Sequence, residues 1–349
     1  MTRVTFVSYD DEPPLGGQGV ELRGMRAALT ARGHMVTTLA GRGQNEMKYP
    51  LITGRAPLDF SISLNVRSKV IRNSRPDVVH ALGGPGGVLL LRRALGAPLV
   101  YTANHTYRMA HHRGSVRRLL SPLEGLAYRG AAMVLAISPS TATAVRGLGV
   151  PGDRIEVLAP GVDAPASPPQ PRSGFRLLFA GRWEAEKGVL EAIDVMREVI
   201  ARRPGATATV VGSGRLAGRV RAAATGIPGL TVAGRVDDER LAREYAEASA
   251  VLVPSRYEGL GLVALEGQAR GAVVVGYDVD GLRDATAERS LLVDPGDVAG
   301  MVRLCVHLND EPARRDQLGR AAHQWVRERH SWERIGARLE EVYAAVRTG

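Results

Sequence analysis

The chain has 349 residues, 44% of them hydrophobic, which is enough for two domains at roughly 100–200 residues each. Its single cysteine excludes a disulfide framework or a cysteine-rich metal site within the chain, and no apolar run approaches the ~18 residues of a membrane span. The net charge of +10 would suit nucleic acid or an anionic membrane. Because the sequence has few aromatic residues and no helix-turn-helix, zinc or RNP-like pattern, nucleic-acid binding is not expected. The N-terminus lacks the basic-then-apolar layout of a signal peptide, which predicts a cytoplasmic protein.

The N-terminal residues predict a strand, a glycine-rich loop, a helix and a second strand. Apolar side chains alternate over residues 4–8 and recur at helical spacing over 20–31, with the loop PPLGGQG between them. This loop does not complete the GxGxxG fingerprint of dinucleotide-binding domains, so a dehydrogenase is disfavoured.

Further strands are predicted at 77–81, 98–102, 133–137 and 155–158, and a single helix is predicted over 60–73. The glycine-rich loop after the first of these strands lacks the Gly-Lys-Ser/Thr ending of a P-loop. The first half of the chain therefore predicts an open α/β sheet without a Walker motif.

His105 comes directly after the strand predicted at 98–102. Open α/β sheets bind ligands at the carboxyl ends of their strands, which favours a functional histidine, although many histidines at such positions only cap backbone groups. The stretch 108–118 is strongly basic, so it either faces an anionic acceptor or membrane or is a solvated loop.

A proline-rich linker at 164–171 precedes a second alternation of strands and helices. Its first strand, at 176–180, leads into a loop with Arg182 and Lys187 and then into a helix over 189–202. The planar fork of an arginine and the compact charge of a lysine near a helix N-terminus suit phosphate, although two basic residues at a surface would need no ligand.

The stretch 251–284 contains a buried strand, a glycine-rich turn that begins at Glu258, and a helix that begins at Leu262. The first turn of a helix has unpartnered N–H groups and a partial positive charge, so this turn can hold a phosphate. Glu258 and Glu266 flank the turn and are suited to accept hydrogen bonds from hydroxyls, which indicates a nucleotide sugar; the alternative is two solvated glutamates.

A paired-carboxylate glycosidase is less consistent with this spacing. On one helix, residues eight positions apart would be separated by about 12 Å, because each residue rises about 1.5 Å. The two carboxylates of a retaining glycosidase lie about 5 Å apart.

Residues 254–266 read PSRYEGLGLVALE, and the pattern PSxxEGxGxxxLE resembles the signature of the retaining glycosyltransferases of family 4. Three further stretches resemble motifs of that family: GG…RGHxV at 16–36, PGVD at 160–163 and GRxxxxKG at 181–188.

The resemblance implies an α/β protein with the GT-B fold, in which two doubly wound Rossmann-like domains face a cleft. Residues 1–163 would form the acceptor-side domain and residues 174–330 the nucleotide-sugar domain. The C-terminal helix, residues 331–349, would pack back on the first domain.

The resemblance also implies roles for individual residues. In the catalytic group, His105 would contact the donor sugar, Arg182 and Lys187 would bind its diphosphate, and Glu258 would bind its hydroxyls. The other donor-binding residues would be Gly16 and Gly17 in the first glycine loop, Arg235 and Val236 at the base, Glu266 at the ribose, and Gly259, Leu260, Gly261 and Leu262 through their backbone.

The implied activity is transfer of a sugar, with retention, from a UDP or GDP sugar to a hydroxyl of a lipid, a cell-envelope glycan or a secondary metabolite. No metal ion or other cofactor is implied, and the basic stretch suggests peripheral contact with an anionic membrane at its inner face. Two alternatives are a GT-B-fold epimerase or hydrolase of sugar nucleotides and a non-enzymatic basic protein that binds membranes peripherally.

Overall fold

The computed structural model describes residues 1–14, 16–91, 95–109, 115–167 and 169–348, with the backbone alone at 115–119 and 290. The chain divides into two compact units, Met1–Gly161 with Trp332–Gly349, and Val162–Ser331. Each unit contains a six-stranded sheet whose paired strands are parallel, with helices between the strands. The predicted α/β class and the two Rossmann-like domains are confirmed.

The first unit has the strand order β2-β1-β3-β4-β5-β6. Its elements are β1 (Arg3–Ser8), α1 (Gly17–Ala31), β2 (Met35–Ala40), α2 (Ala56–Val66), α3 (Lys69–Asn73), β3 (Val78–Gly83), β4 (Leu99–Ala103), α4 (Ser115–Arg129), β5 (Met133–Ala136), α5 (Pro139–Arg146) and β6 (Ile155–Val157).

The second unit has the strand order β12-β11-β10-β7-β8-β9. Its elements are β7 (Phe175–Arg182), α6 (Val189–Arg202), β8 (Ala206–Ser213), α7 (Ala217–Ala224), β9 (Leu230–Gly234), α8 (Asp238–Glu247), β10 (Ala250–Val253), α9 (Leu262–Ala269), β11 (Val273–Tyr277), α10 (Asp280–Ala285), β12 (Leu292–Val293), α11 (Val298–Asp310) and α12 (Pro312–Arg329).

The last helix, α13 (Trp332–Thr348), belongs to the first unit. Alternate residues of β1 enter opposite faces of the sheet: Val7 packs in one apolar cluster, whereas Phe6 packs with Leu22 of α1 and Tyr343 of α13. The Tyr343 hydroxyl also lies 2.6 Å from Nδ1 of the buried His80 on β3. Helix α13 therefore shields part of this apolar face of the first sheet from water, together with α1.

In both sheets, the direction in which successive strands are added reverses next to the first strand. In the first sheet the chain runs from β1 to β2 and returns on the other side at β3; in the second it runs from β7 through β8 and β9 and returns at β10. Ligands of such sheets bind beyond the carboxyl ends of the two strands that flank this reversal. The fold therefore marks the ends of β1 and β3, and of β7 and β10, as candidate sites.

The element boundaries differ from the sequence prediction at a few places. The single helix predicted over 60–73 is two helices, α2 and α3, because Val66 and Arg67 are exposed and no apolar face continues across them. The six-residue α10 was missed, since it is too short to show a helical period. The single cysteine, Cys305, is buried as a free thiol. Among the described residues, no helix is both long and apolar enough to cross a membrane.

Candidate functional site

The loops that follow β7 and β10 pack directly against each other. Gly188 precedes α6 with a φ of 66°, and a Cβ atom at this position would lie 2.2 Å from the carbonyl oxygen of Pro254. The backbone N–H of Arg256 donates to the carbonyl of Glu186 at 2.9 Å. Glycine at 188 is therefore required both by its backbone conformation and by this close approach.

Lys187 and Glu258 meet where these two loops join. Lys187 Nζ lies 2.6 Å from Glu258 Oε1, and the exposed fractions of the two side chains are 23% and 12%. The structure thus brings together two residues, 71 positions apart in the chain, that the family resemblance assigns to one ligand.

Arg182 ends β7 beside this pair and is much more exposed. Its guanidinium lies 3.4 Å from Glu186 Oε1, and its side chain is 55% exposed. The Glu186 side chain is only 11% exposed, so the exposed Arg182 guanidinium is the member of this pair that an anion can reach from solvent.

The glycine-rich turn lies at the N-terminus of α9, as predicted. Gly261 has a φ of 80° and is the N-cap of α9, which begins at Leu262. Glu258 therefore lies in the loop and not on the helix. The missed helix α10 supports this loop, because a Cβ atom on Gly281 would lie 2.2 Å from the carbonyl oxygen of Glu258.

Glu266 lies on α9 and is partly buried. Its Oε2 accepts a hydrogen bond of 2.7 Å from the hydroxyl of Tyr245 on α8. Burial and the nearby Glu266 carboxylate raise the pKa of Tyr245 well above its ordinary value, so the phenol stays a donor and fixes the carboxylate. Sequence reasoning missed Tyr245, whose position in an amphipathic helix predicts only a core residue.

The predicted base contacts, Arg235 and Val236, lie between β9 and α8. Arg235 is exposed and Val236 is partly buried. Because β9 is separated from β7 by β8, these residues lie two strands from the Lys187–Glu258 pair.

In the first unit, Gly16 and Gly17 lie at the start of α1. Gly16 is the N-cap of this 15-residue helix and Gly17 is its first residue. Among the described residues outside its chain neighbours, no atom lies within 4 Å of a Cβ atom built on Gly16, and the N–H of Gly16 donates to Asp10 Oδ2 at 3.3 Å. The described residues thus leave room at Gly16, at the reversal point between β1 and β3.

His105 lies in the loop after β4 and is partly buried. The loop after β3 touches its backbone, because a Cβ atom on Gly84 would lie 2.6 Å from the His105 carbonyl oxygen. Gln18 Nε2 on α1 donates to the carbonyl of Gly83 and to Asn104 Oδ1, both at 3.1 Å. The neighbours of His105 are thus tied to α1 and to the end of β3.

The predicted basic stretch 108–118 lies largely outside the described residues, which omit 110–114 and the side chains of 115–119. Arg108 is described, and its guanidinium donates to the carbonyl of Gly147 at 3.0 Å. In the part of the chain that the structure describes, no group of three or more His, Cys, Asp or Glu side chains could hold a metal ion.

Two family models match the chain. Residues 15–164 match "Glycosyltransferase Family 4" and residues 174–311 match "Glycosyl transferases group 1". Among curated relatives, the chain is 28% identical to a glycogen synthase of Mycobacterium tuberculosis, over 99% of this chain and 95% of that protein. It is 30% identical to a D-inositol 3-phosphate glycosyltransferase of Arthrobacter sp. (strain FB24), over 99% of this chain and 96% of that protein.

The fold is similar to that of Alr3699/HepE from Anabaena, solved in complex with UDP and glucose. The TM-score is 0.75 at 16% identity, over 99% of this chain and 100% of that chain. The predicted GT-B fold is confirmed by such structural neighbours.

Proposed function

The chain belongs to glycosyltransferase family 4, and from this premise we propose that it transfers a sugar from a nucleoside diphosphate to a hydroxyl of an acceptor. The observation that carries the proposal is the contact between Lys187 and Glu258 at the reversal point of the second sheet. A cation for phosphate and an acceptor for sugar hydroxyls lie there beside the N-terminus of α9.

Breaking the bond between sugar and diphosphate leaves negative charge on the diphosphate. We assign its stabilisation to Lys187, to Arg182 and to the backbone N–H groups of Gly259, Leu260, Gly261 and Leu262. Groups held in place before the reaction lower the barrier, because they need no rearrangement as the charge develops. The loop contact at Gly188 supports this assignment, since it fixes the two loops relative to each other.

Glu258 would bind hydroxyls of the donor sugar, and Glu266, oriented by Tyr245, would bind the ribose. Arg235 and Val236 would contact the base. From the first unit, His105 is assigned to the donor sugar, and Gly16 and Gly17 to the donor diphosphate.

We further propose that the sugar is transferred with retention and without a metal ion or other cofactor. Proton NMR of the new anomeric centre tests the stereochemistry: the anomeric configuration of the donor should persist in the first-formed product, and an inverted product would reject this part of the proposal.

The donor is proposed to be a UDP or GDP sugar, in line with the UDP and glucose bound by the Anabaena protein. Lipids, cell-envelope glycans and secondary metabolites are the candidate acceptors. The comparisons favour neither an epimerase or hydrolase nor a non-enzymatic membrane-binding protein.

Thermal unfolding with UDP, GDP, ADP and TDP tests the donor site. A ligand that binds only the folded state stabilises it by RT ln(1 + [L]/Kd), about 2.7 kcal/mol at a hundredfold excess over Kd. UDP or GDP should raise the melting temperature of the wild type and of Lys69→Ala, a control at an exposed lysine, but not that of Lys187→Ala. If no nucleotide shifts the wild type, the proposed function is wrong.

A further inference from the structure

In the described part of the first unit, two glutamates are buried, and neither was predicted as a site residue. Glu21 on α1 is 3% exposed and Glu124 on α4 is fully buried. A carboxyl group loses its hydration when it is buried, so it persists in a core only where hydrogen bonds replace the lost water. The hydrogen-bond donors to these two carboxyls therefore show which segment of the chain each glutamate is bonded to.

Glu21 is bonded to the loop after β4, defined here as the His105 loop (residues 104–107). The Asn104 side-chain amide donates from Nδ2 to Glu21 Oε2. The other end of the same amide, Oδ1, accepts from Gln18 Nε2 at 3.1 Å. Both polar atoms of the Asn104 side chain are therefore bonded to α1, which fixes the residue directly before His105.

Glu124 is bonded to the other end of the same loop. Its Oε2 accepts from the backbone N–H of Tyr107 at 2.9 Å, and its Oε1 lies 3.4 Å from the hydroxyl of Tyr128. Tyr128 in turn reaches the end of β3, because a Cβ atom on Gly83 would lie 2.6 Å from the Tyr128 hydroxyl oxygen.

Burial changes the ionisation of both carboxyls. It raises the pKa of Glu21 to about 7, against the opposing effect of the Asn104 hydrogen bond, and raises the pKa of Glu124 to about 8. Apolar residues could fill these positions without that penalty. Instead, Glu21 is bonded to Asn104, one residue before His105, and Glu124 is bonded to Tyr107, two residues after it.

We propose that Glu21 and Glu124 are positioning residues, which hold the His105 loop at both ends and thereby fix the imidazole of His105 at the carboxyl end of β4. The proposal rests on the proposed function in one respect, the assignment of His105 to the donor sugar. A displacement of about 1 Å of a group in an active site can lower the rate about 10²-fold, so a loosened loop is expected to lower kcat.

The test compares Glu21→Ala with Glu21→Gln, whose side-chain carbonyl can still accept from Asn104. Glu21→Ala should lower kcat roughly 10- to 10²-fold with a smaller change in the donor KM, and Glu21→Gln should restore most of kcat. Asn104→Ala, which breaks the same bond from the loop side at a partly buried residue, should repeat the loss if Glu21→Ala does not fold.

A double-mutant cycle with His105→Ala shows whether Glu21 acts through the histidine. In the His105→Ala background, Glu21→Ala should lower kcat by less than threefold. An equal loss with and without His105 would overturn the proposal, and so would an unchanged kcat in Glu21→Ala or in His105→Ala.

Two controls separate this outcome from a loss of folding and from failure of the proposed function. Asp59→Ala removes another buried carboxylate of the first unit, which accepts from the N–H of Thr53, and should lower the melting temperature without changing kcat. The shift in melting temperature with the nucleoside diphosphate should persist in Glu21→Ala, because the cationic side chains assigned to the diphosphate, Arg182 and Lys187, lie in the second unit. Absence of this shift from the wild type would reject the proposed function instead.

Discussion

At the scale of single residues, the contact between Lys187 and Glu258 joins two groups of opposite charge that are each assigned to a different part of one ligand. Without a donor they neutralise each other, and each keeps the other in place. A diphosphate must compete with the Glu258 carboxylate for Lys187. The ion pair therefore holds both side chains in position for the ligand, but it also weakens the binding of the nucleotide.

Glu258→Gln should separate these two effects. Loss of the carboxylate should lower kcat/KM about 10²- to 10³-fold, a range typical for a single group that stabilises a transition state. The affinity for the nucleoside diphosphate alone should stay equal or increase, because Lys187 loses its competing partner. Calorimetric titration and steady-state kinetics measure the two quantities, with Glu239→Gln at an exposed position as the control. Weaker nucleotide binding in Glu258→Gln would contradict this account.

The buried Glu124 predicts a dependence of stability on pH. Because burial raises its pKa to about 8, the folded protein holds a proton that the unfolded chain, with a pKa near 4.5, has lost. The stability that depends on this proton is complete below pH 4.5 and is lost as the pH rises toward and through 8, by at most about 1.4 kcal/mol per pH unit.

Glu124→Gln should remove this pH dependence, because the amide does not titrate. The difference in melting temperature between wild type and variant should change in favour of the variant as the pH rises from 5 to 8.5. A difference that is constant over this range would show that Glu124 is ionised in the folded protein.

At the scale of elements, close backbone contacts hold the loops of the second unit. Gly188 and Gly174 both have left-handed backbone angles, with φ of 66° and 83°. A Cβ atom on Gly188 would lie 2.2 Å from a carbonyl oxygen, whereas one on Gly174 would meet no atom of the described residues within 4 Å. Alanine substitutions at the two positions therefore distinguish backbone strain alone, at 174, from backbone strain combined with displacement of a loop, at 188.

Gly174→Ala should lower the free energy of unfolding by about 1–2 kcal/mol, the strain of a left-handed alanine, and should leave activity unchanged. Gly188→Ala should destabilise the protein further and lower kcat/KM at least tenfold, because the β7 loop must move away from the β10 loop. Equal effects of the two substitutions in unfolding and kinetic measurements would show that the loop contact has no role in activity.

Elements with a clear local pattern were predictable from the sequence. The helix predicted over 189–202 is α6, and the helix predicted to begin at Leu262 is α9, since glycine and apolar periodicity mark both starts. The partners of the site residues were not predictable. The contacts of Tyr245 with Glu266, and of Tyr107 with Glu124, join different elements, and a buried glutamate on a helix has no local pattern that distinguishes it from a surface residue.

At the scale of the whole molecule, the chain leaves its first unit after Gly161 and returns to it at Trp332. The indole of Trp332 packs against the backbone at Gly24 and at Gly161. A Cβ atom on Gly24 of α1 would lie 1.9 Å from the indole ring, and one on Gly161 would lie 2.6 Å from it. The two glycines therefore fit the returning helix α13 to the first unit.

Gly24→Ala should displace the indole of Trp332 and destabilise the first unit by about 1–3 kcal/mol, the usual cost of adding a methyl group to a well-packed core. The matched control is Gly218→Ala on α7, where a Cβ atom would meet none of the atoms that the structure describes within 4 Å. Helix propensity predicts a gain of up to about 1 kcal/mol for this control. Thermal unfolding measures both; a stabilised Gly24→Ala would show that the indole is not held there.

The two-unit fold was predictable because four motifs in family order cover both halves of the sequence. The substrates were not, since the same backbone contacts serve any nucleoside diphosphate. The most direct test is therefore turnover: release of the nucleoside diphosphate from UDP and GDP sugars, measured with and without candidate hydroxyl acceptors, for the wild type, Lys187→Ala and Lys69→Ala. We predict that an acceptor accelerates release from one donor, equally in Lys69→Ala and about 10²- to 10³-fold more slowly in Lys187→Ala. Release that no acceptor accelerates, or recovery of an intact nucleotide bearing an altered sugar, would contradict a sugar transferase.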